Sequence, residues 1–386
     1  MVRARATAHA RRTVRGLLDG LRRPWEKGVE SDPASRRRLS RVDAAMDVVQ
    51  RVEEMDPELP RTRAARDFLT IDRVARRPGA ETFLDTMVPR PLRGAWVQDR
   101  PGVQQALFPV AADLVVLAKF DLGEQVKLRA GYGDRRRTLA VAPVRPNGMC
   151  PITNSVRAHE IVNRYAPDLI PRMLSHGELE EGLRYLVEEW VEGEPLTDSL
   201  RLAAHTPQIL EGLGRVHEGY GIHGRSASEI WGGGFGKQWQ AVRDAGLVPD
   251  DIGAPVAALI ADNRRLRMSW SHGDLVASNV LATPGGPVII DWEHARERPV
   301  MHDAAKLHLF AADKEPLLGL LLAEWGDNLA EDGYTAAEEL ALVHAHFLSR
   351  APARMADLAG HRRSGVYTRQ VTKQAALLGD VLGRIS

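Results

Sequence analysis

The most constraining stretch of this chain is His272-Gly273-Asp274-Leu275-Val276-Ala277-Ser278-Asn279, followed a short way on by Ile290-Asp291-Trp292-Glu293. The apolar run Val288-Ile289-Ile290 ends on a carboxylate, and Pro284-Gly285-Gly286 supplies a turn before it. Residues 276–281 and 288–290 therefore predict a β-hairpin. Its pairing would bring Asn279 and Asp291 to neighbouring strand ends, with Asp291 emerging at the edge of the core. Such a hairpin needs a scaffold, and the flanking elements decide which one.

The chain has 386 residues, which suits two or three packed units. Apolar positions at Leu39, Val42, Ala45, Met46, Val49 and Val52 predict a helix over 34–52. Residues 63–87 also read as mostly helical, with a break at Pro78-Gly79, and Pro89, Pro91 and Gly94 mark a boundary. Strands are expected over 114–120, 126–130 and 138–144, with turns between them. A helix over 155–165 follows, with Asn154 or Ser155 as N-cap. Tyr185-Leu186-Val187 is a short strand, and from Thr206 the chain is mostly helical outside 269–292. Strands gathered ahead of helices indicate an α+β fold. The expected division is a basic, mostly helical N-terminal extension (1–90), a small β-rich lobe (91–187) and a helical lobe (188–386).

Composition narrows the class. Hydrophobic residues make up 44% and charged residues 27%, ordinary for a soluble globular protein with a formal net charge of +1. The single cysteine, Cys150, excludes an internal disulfide and a Cys-rich metal site. It fits a reducing compartment, so a cytoplasmic location is expected. No apolar run reaches the length of a membrane span, and the N-terminus lacks a secretory apolar region. The first forty residues are rich in Arg and Ala and poor in acids. Three readings fit them: a solvated basic extension, a surface for an anionic partner (lipid, nucleic acid or protein), and a transit peptide. The Ala/Arg bias persists along the chain, which weakens the last.

The paired motifs suit phosphoryl transfer. That reaction needs an oriented acceptor hydroxyl and neutralised phosphate charge more than covalent chemistry from the protein. A carboxylate can orient the hydroxyl and accept its proton. An Asn carbonyl oxygen and a second carboxylate suit hard Mg²⁺. The chain here resembles the aminoglycoside phosphotransferase and choline kinase superfamily, relatives of the protein kinases. The H-G-D-x-x-x-x-N loop is matched by His272, Gly273, Asp274 and Asn279, and the I-D-W-E element by Ile290, Asp291, Trp292 and Glu293. The resemblance spans roughly 110–310 and implies a bilobal protein-kinase-like fold, ATP or GTP with Mg²⁺, and a small-molecule hydroxyl acceptor. It makes Asp274 the catalytic base, Asn279 and Asp291 the metal ligands, and His272 a buttress. The backbone at 189–191 (Glu189 to Val191) would meet the adenine, Glu160 would pair with the phosphate-binding lysine, and Asp303 would be structural. Protein kinases carry Arg at Gly273 and D-F-G at 291–293, so the small-molecule branch is favoured.

One departure stands out. The third strand, 138–144, contains no Lys. Arg145 at its end, Lys127 and Arg129 on the preceding strand, and Lys119 on the first are the available cations; Lys127 and Arg145 are the preferred candidates. The alternative to an active kinase is an inactive kinase-fold binding or regulatory protein. The stretch Trp231-Gly232-Gly233-Gly234-Phe235-Gly236-Lys237 fails the phosphate-loop pattern at Trp231 and Gln238 and reads as a flexible loop near the cleft. Trp190, Trp270 and Trp292 could cage a cation or line the core. Acidic residues at 178–194 could suit a cationic acceptor or be a solvated flank, whereas the basic run 350–369 points to an anionic or sugar acceptor.

Overall fold

In the computed structural model the chain divides into two compact units, residues 1–51 and 52–386. The structure describes residues 48, 51–56, 67–74, 82–84, 115–120, 126–132, 136–145, 147–179, 182–196, 199–311, 314–326, 332–359 and 364–385; before residue 133, in the strands, side chains are described for Arg129 alone. Most of the expected helix over 34–52, and the basic N-terminus with its anionic partner, lie outside the described residues.

The second unit is α+β. Its first sheet comprises β1 (Asp67–Val74), β2 (Thr82–Leu84), β3 (Val115–Phe120), β4 (Val126–Tyr132), β5 (Arg137–Pro143), β6 (Met173–Leu179) and β7 (Leu183–Glu189). The order is β2-β1-β3-β4-β5-β7-β6, and β1 runs parallel to β3. The three expected strands are β3, β4 and β5, and Tyr185-Leu186-Val187 lies inside β7. The helical expectation for 63–87 is corrected: β1 and β2 fall there. Thr70, Ile71 and Val74 favour an extended chain, and the edge of β3 offers a hydrogen-bond ladder that a short isolated helix lacks.

Helix α1 (Pro151–Tyr165) connects β5 to β6. It begins at Pro151 with Cys150 at the N-cap, not at Asn154 or Ser155. Proline is tolerated there because its missing N–H would have no helical partner. Asn154 instead donates its amide to the Glu293 carbonyl at 3.0 Å, tying α1 to the turn that carries Asp291.

Six short strands follow: β8 (Glu194–Pro195), β9 (His223–Ser226), β10 (Arg265–Ser271), β11 (Val280–Thr283), β12 (Gly286–Ile289) and β13 (Arg296–Pro299). The hairpin pairs Val280 with Ile289, as the alternation predicts, although 277–279 form a tight turn and not strand. The helices are α2 (Ser199–Tyr220), α3 (Ala227–Trp231), α4 (Phe235–Asp244), α5 (Asp250–Asp262), α6 (Met301–Phe310), α7 (Glu315–Trp325), α8 (Ala336–Leu348), α9 (Ala351–Asp357) and α10 (Ser364–Leu382). They enclose one core that includes Phe235, Trp239, Trp292 and Tyr334. Among the described residues no helix is long and apolar enough to cross a membrane.

Strand β10 is anchored from below. Arg267 donates from Nε and Nη2 to Glu339 Oε2 on α8, at 2.9 and 2.8 Å, while its backbone N–H donates to Oε1 at 2.6 Å. Glu339 is buried, and two-point pairing with these extra donors compensates its desolvation. The strand therefore delivers its C-terminal end, and the loop at His272, from a fixed position.

The helical lobe buries several histidines. His308 Nδ1 lies 3.1 Å from His344 Nε2. Burial pushes His217 and His308 down to about 4 and His346 down to about 3. His302 and His344 are held well below their ordinary value, also chiefly by burial. The unfolded chain binds protons at these sites from about pH 6.5 downward, and the folded one does not until a lower pH. Stability is therefore full above that value and is lost as pH falls toward 4. The unfolding midpoint in urea is expected to drop steeply between pH 6.5 and 4; a flat profile there would contradict neutral burial.

Candidate active site

The site begins where β10 ends. The backbone N–H groups of His272 and Gly273 donate to Asp303 Oδ2 and Oδ1 at 2.7 and 2.8 Å. Asp303 sits near the start of α6 and is fully buried. Burial pushes its carboxyl above the ordinary range, against the opposing pull of His272 and the two N–H donors. Gly273 has φ +84°, and a Cβ there would lie 2.5 Å from the His294 carbonyl and 2.7 Å from Arg298 Nε. Both backbone twist and crowding therefore require glycine.

The His272 ring joins the two motifs. Its Nδ1 accepts from the Asp274 N–H at 3.2 Å, which makes Nε2 the donor to the Ile290 carbonyl at 3.0 Å. Trp292 meets the same ring edge-on, with centroids 4.7 Å apart. Ile290 N–H in turn donates to the Asn279 carbonyl at 2.8 Å. Asn279 Nδ2 donates to the Asp274 carbonyl at 3.0 Å, leaving Oδ1 as the acceptor end of the side chain. Asp291 adopts φ +69°, uncommon for a non-glycine residue and a form of strain found at functional sites. Asp274, Asn279 and Asp291 are thus gathered in one place.

Two cations meet these carboxylates. Arg129 on β4 donates from Nη2 to Asp291 Oδ1 at 2.7 Å. Burial lowers the pKa of its guanidinium, but Asp291, Glu188 and Glu293 together outweigh that and raise it above the ordinary value. Lys306, one turn along α6 from Asp303, donates to Asp274 Oδ1 at 3.0 Å. Beside them opens a cleft lined by Arg129, Thr138, Glu189, Val191, Leu281 and Ile290 among others.

The other expected residues fall as follows. Glu189 and Val191 line the cleft. The Glu189 N–H donates to Arg172 and the Trp190 N–H to Arg136, so the Val191 N–H is the donor left at this edge among the described residues. Arg145 is exposed beyond Pro143, which pairs with Leu183, whereas the cleft lies at the Arg137 and Glu189 end of the same ladder. Lys127 lies on β4, and its side chain falls outside the described residues. Glu160 is exposed on α1, with no ion pair to a described residue. Its neighbour His159 takes the inward position, with Nε2 2.8 Å from Glu188 Oε1. The tryptophan cage does not form, because Trp270 and Trp292 are core residues. Gly232 to Gly234 make a tight link between α3 and α4, and Trp231 stacks on His346 at 4.8 Å. Lys306 and Arg298 carry no motif signal and were not expected.

The phosphotransferase enzyme family matches residues 153–340 of this chain. This segment resembles that family. The match takes in both motifs and agrees with the phosphotransferase resemblance. No curated protein matches the chain. Among solved structures, a putative aminoglycoside phosphotransferase from Ralstonia eutropha JMP134 is similar at 13% identity and TM-score 0.47, over 77% of this chain and 98% of that one. A glucosamine kinase in complex with glucosamine, ADP and inorganic phosphate is similar at 16% identity and TM-score 0.45, over 75% and 88%. A choline kinase from Streptococcus pneumoniae is similar at 17% identity and TM-score 0.42, over 71% and 98%.

The loop at His272 depends on Asp303. Replacing Asp303 by Ala leaves two buried N–H groups without acceptors, at about 1–3 kcal/mol each. The variant is expected to lose roughly 2–5 kcal/mol in urea unfolding, and an unchanged midpoint would contradict this role.

Proposed function

We propose that the chain transfers the terminal phosphoryl group of ATP or GTP, as its Mg²⁺ complex, to a hydroxyl of a small molecule. The observation that carries this reading is the convergence of Asp274, Asn279 and Asp291, tied together through His272, with Arg129, which bonds Asp291 and lines the cleft. The base would enter the cleft between β7 and the hairpin, with the Val191 N–H as a donor to its edge. Asn279 Oδ1 and the Asp291 carboxylate are hard oxygen donors, and Mg²⁺ held by one or two protein groups plus substrate phosphates suits that set. When bound, the metal would neutralise phosphate charge. Arg129 replaces the missing third-strand lysine. It stands one strand away, yet its guanidinium reaches Asp291. From there it can bind phosphate oxygens in two-point fashion.

Asp274 would orient the acceptor hydroxyl and take its proton. Lys306 holds that carboxylate in place and faces the same space, where it can offset charge on the transferring group. A supplied cation also weighs against the inactive alternative, whose main support is the empty third strand. A cytoplasmic location and a two-lobe division near residues 90 and 187 accord with this reading.

Three variants test it. Asp274→Ala should lower turnover by ~10²–10⁴ while nucleotide still binds; full turnover would remove Asp274 from the chemistry. Asp291→Ala should abolish the Mg-dependent part of the ATP thermal shift. Arg129→Ala should raise the KM for ATP at least tenfold, with partial recovery in Arg129→Lys; an unchanged KM would return the role to another cation.

A further inference from the structure

Charge around the acceptor side of the site is not balanced. Strand β13 pairs Arg296 with Ser271 and Arg298 with Ser269, so both arginines lie beside the strand that leads into His272. Strand alternation puts them on one face and Glu297 on the other. Glu297 is engaged there by Tyr220, at 3.3 Å, and by Arg225, at 3.6 Å. Arg298 Nε is buried with no hydrogen-bond partner among the described residues, and its Nη2 donates only to the His294 carbonyl at 3.3 Å. Its guanidinium packs against Gly273, next to Asp274. Lys306 meets Asp274 and lies over the Phe347 ring at 5.3 Å. Arg350, just past α8, completes the group.

Among the described residues Arg296, Arg298 and Arg350 form no ion pair, although Asp274 and the buried Asp303 act on Arg298 at longer range. Phe347, three residues before Arg350, meets the His302 ring at 5.1 Å and lies under Lys306, so the end of α8 reaches the same corner as the loop at Gly273. Burial first, and then Arg296, bring Arg298 down to about 10, with Arg350 adding to the effect. His346 is lowered by burial and then by Arg350, Arg298 and Arg296.

The acidic flank of the hinge differs. Glu178 pairs with Arg184, Glu189 with Arg172, Glu192 with Arg136 and Glu194 with Arg201. Among the described residues these four charges are met internally, and two of the three tryptophans that could have caged an ammonium group, Trp270 and Trp292, are core. A positive acceptor would therefore meet matched acids on one side and unmatched cations beside Asp274. Like charges held together without counter-ions are costly unless a ligand neutralises them.

We propose that the acceptor hydroxyl belongs to an anionic small molecule, carrying a phosphate or carboxylate that Arg296, Arg298 and Arg350 bind while Asp274 addresses the hydroxyl. This rests on the phosphotransferase reading above and names its substrate class. The reaction that supplies such a substrate would itself install or expose the anionic group.

The test uses the full chain with matched probes: a hexose, its 6-phosphate, its uronic acid and its 2-amino form. Binding is read as a thermal shift in the presence of Mg·ADP, and transfer as ADP released from Mg·ATP. Both anionic probes are expected to stabilise the protein at concentrations at least tenfold below the neutral hexose, with the amino sugar weakest. The double variant Arg296→Gln/Arg350→Gln should lose that preference, reading as an at least tenfold weaker response to the anions. An amino sugar that binds as well as the anions, or anions that give no shift, would overturn the charge assignment whatever the transfer assay shows. Anion binding without transfer to any probe would leave the charge assignment standing and count against phosphotransfer.

Discussion

The Asp303 carboxylate is wholly enclosed, and its two oxygens take up the N–H groups of His272 and Gly273. Much of the site is built outward from that contact. It fixes the loop that leaves β10, and so the direction of the His272 ring. The ring then holds the Asp274 N–H on one nitrogen and the Ile290 carbonyl on the other. One imidazole thereby sets the spacing between the catalytic candidate and the strand end that carries Asp291. His302 adds to the arrangement through Nε2, 3.2 Å from the Gly273 carbonyl. A neutral ring suits His302, because burial disfavours an added charge.

The second organising feature is the bond between Arg129 and Asp291, which crosses from the β-rich sheet to the hairpin. Both groups are partly exposed, so the pair contributes little to stability on its own. Its importance is in placement. A guanidinium held at the proposed metal ligand stands where phosphate oxygens would arrive. Lys306 gives Asp274 a comparable partner on the acceptor side. The proposed acceptor charge extends the same pattern, in which anions are met by cations from β4, β13, α6 and the end of α8.

The hairpin, the strands at 115–143 and the motif residues were legible in the sequence because each depends on local pattern. Alternation and a Gly-rich turn specify the pairing of Val280 with Ile289, and that pairing aligns Asn279 and Asp291. The supporting cations were harder to see. Arg145 and Arg129 are equally plausible by composition, and only the tertiary structure brings Arg129 to Asp291. His159 and Glu160 differ by one residue, about 100° around a helix, which decides between a buried partner for Glu188 and an exposed side chain. Lys306 and Arg298 reach the loop through α6 and β13, and no local spacing announces that. The strand at 67–74 was missed because its stabilisation comes from the β3 edge, far along the chain.

The central claim is that one cleft holds nucleotide and metal against Asn279, Asp291 and Arg129, beside Asp274. Its most direct test is a crystal structure with Mn²⁺ and a non-hydrolysable ATP analogue. Anomalous scattering would locate the metal. The account predicts a peak between Asn279 Oδ1 and the Asp291 carboxylate, with the Arg129 guanidinium on a phosphate oxygen and the terminal phosphate facing Asp274. A metal bound elsewhere, or phosphates directed away from Asp274, would contradict it.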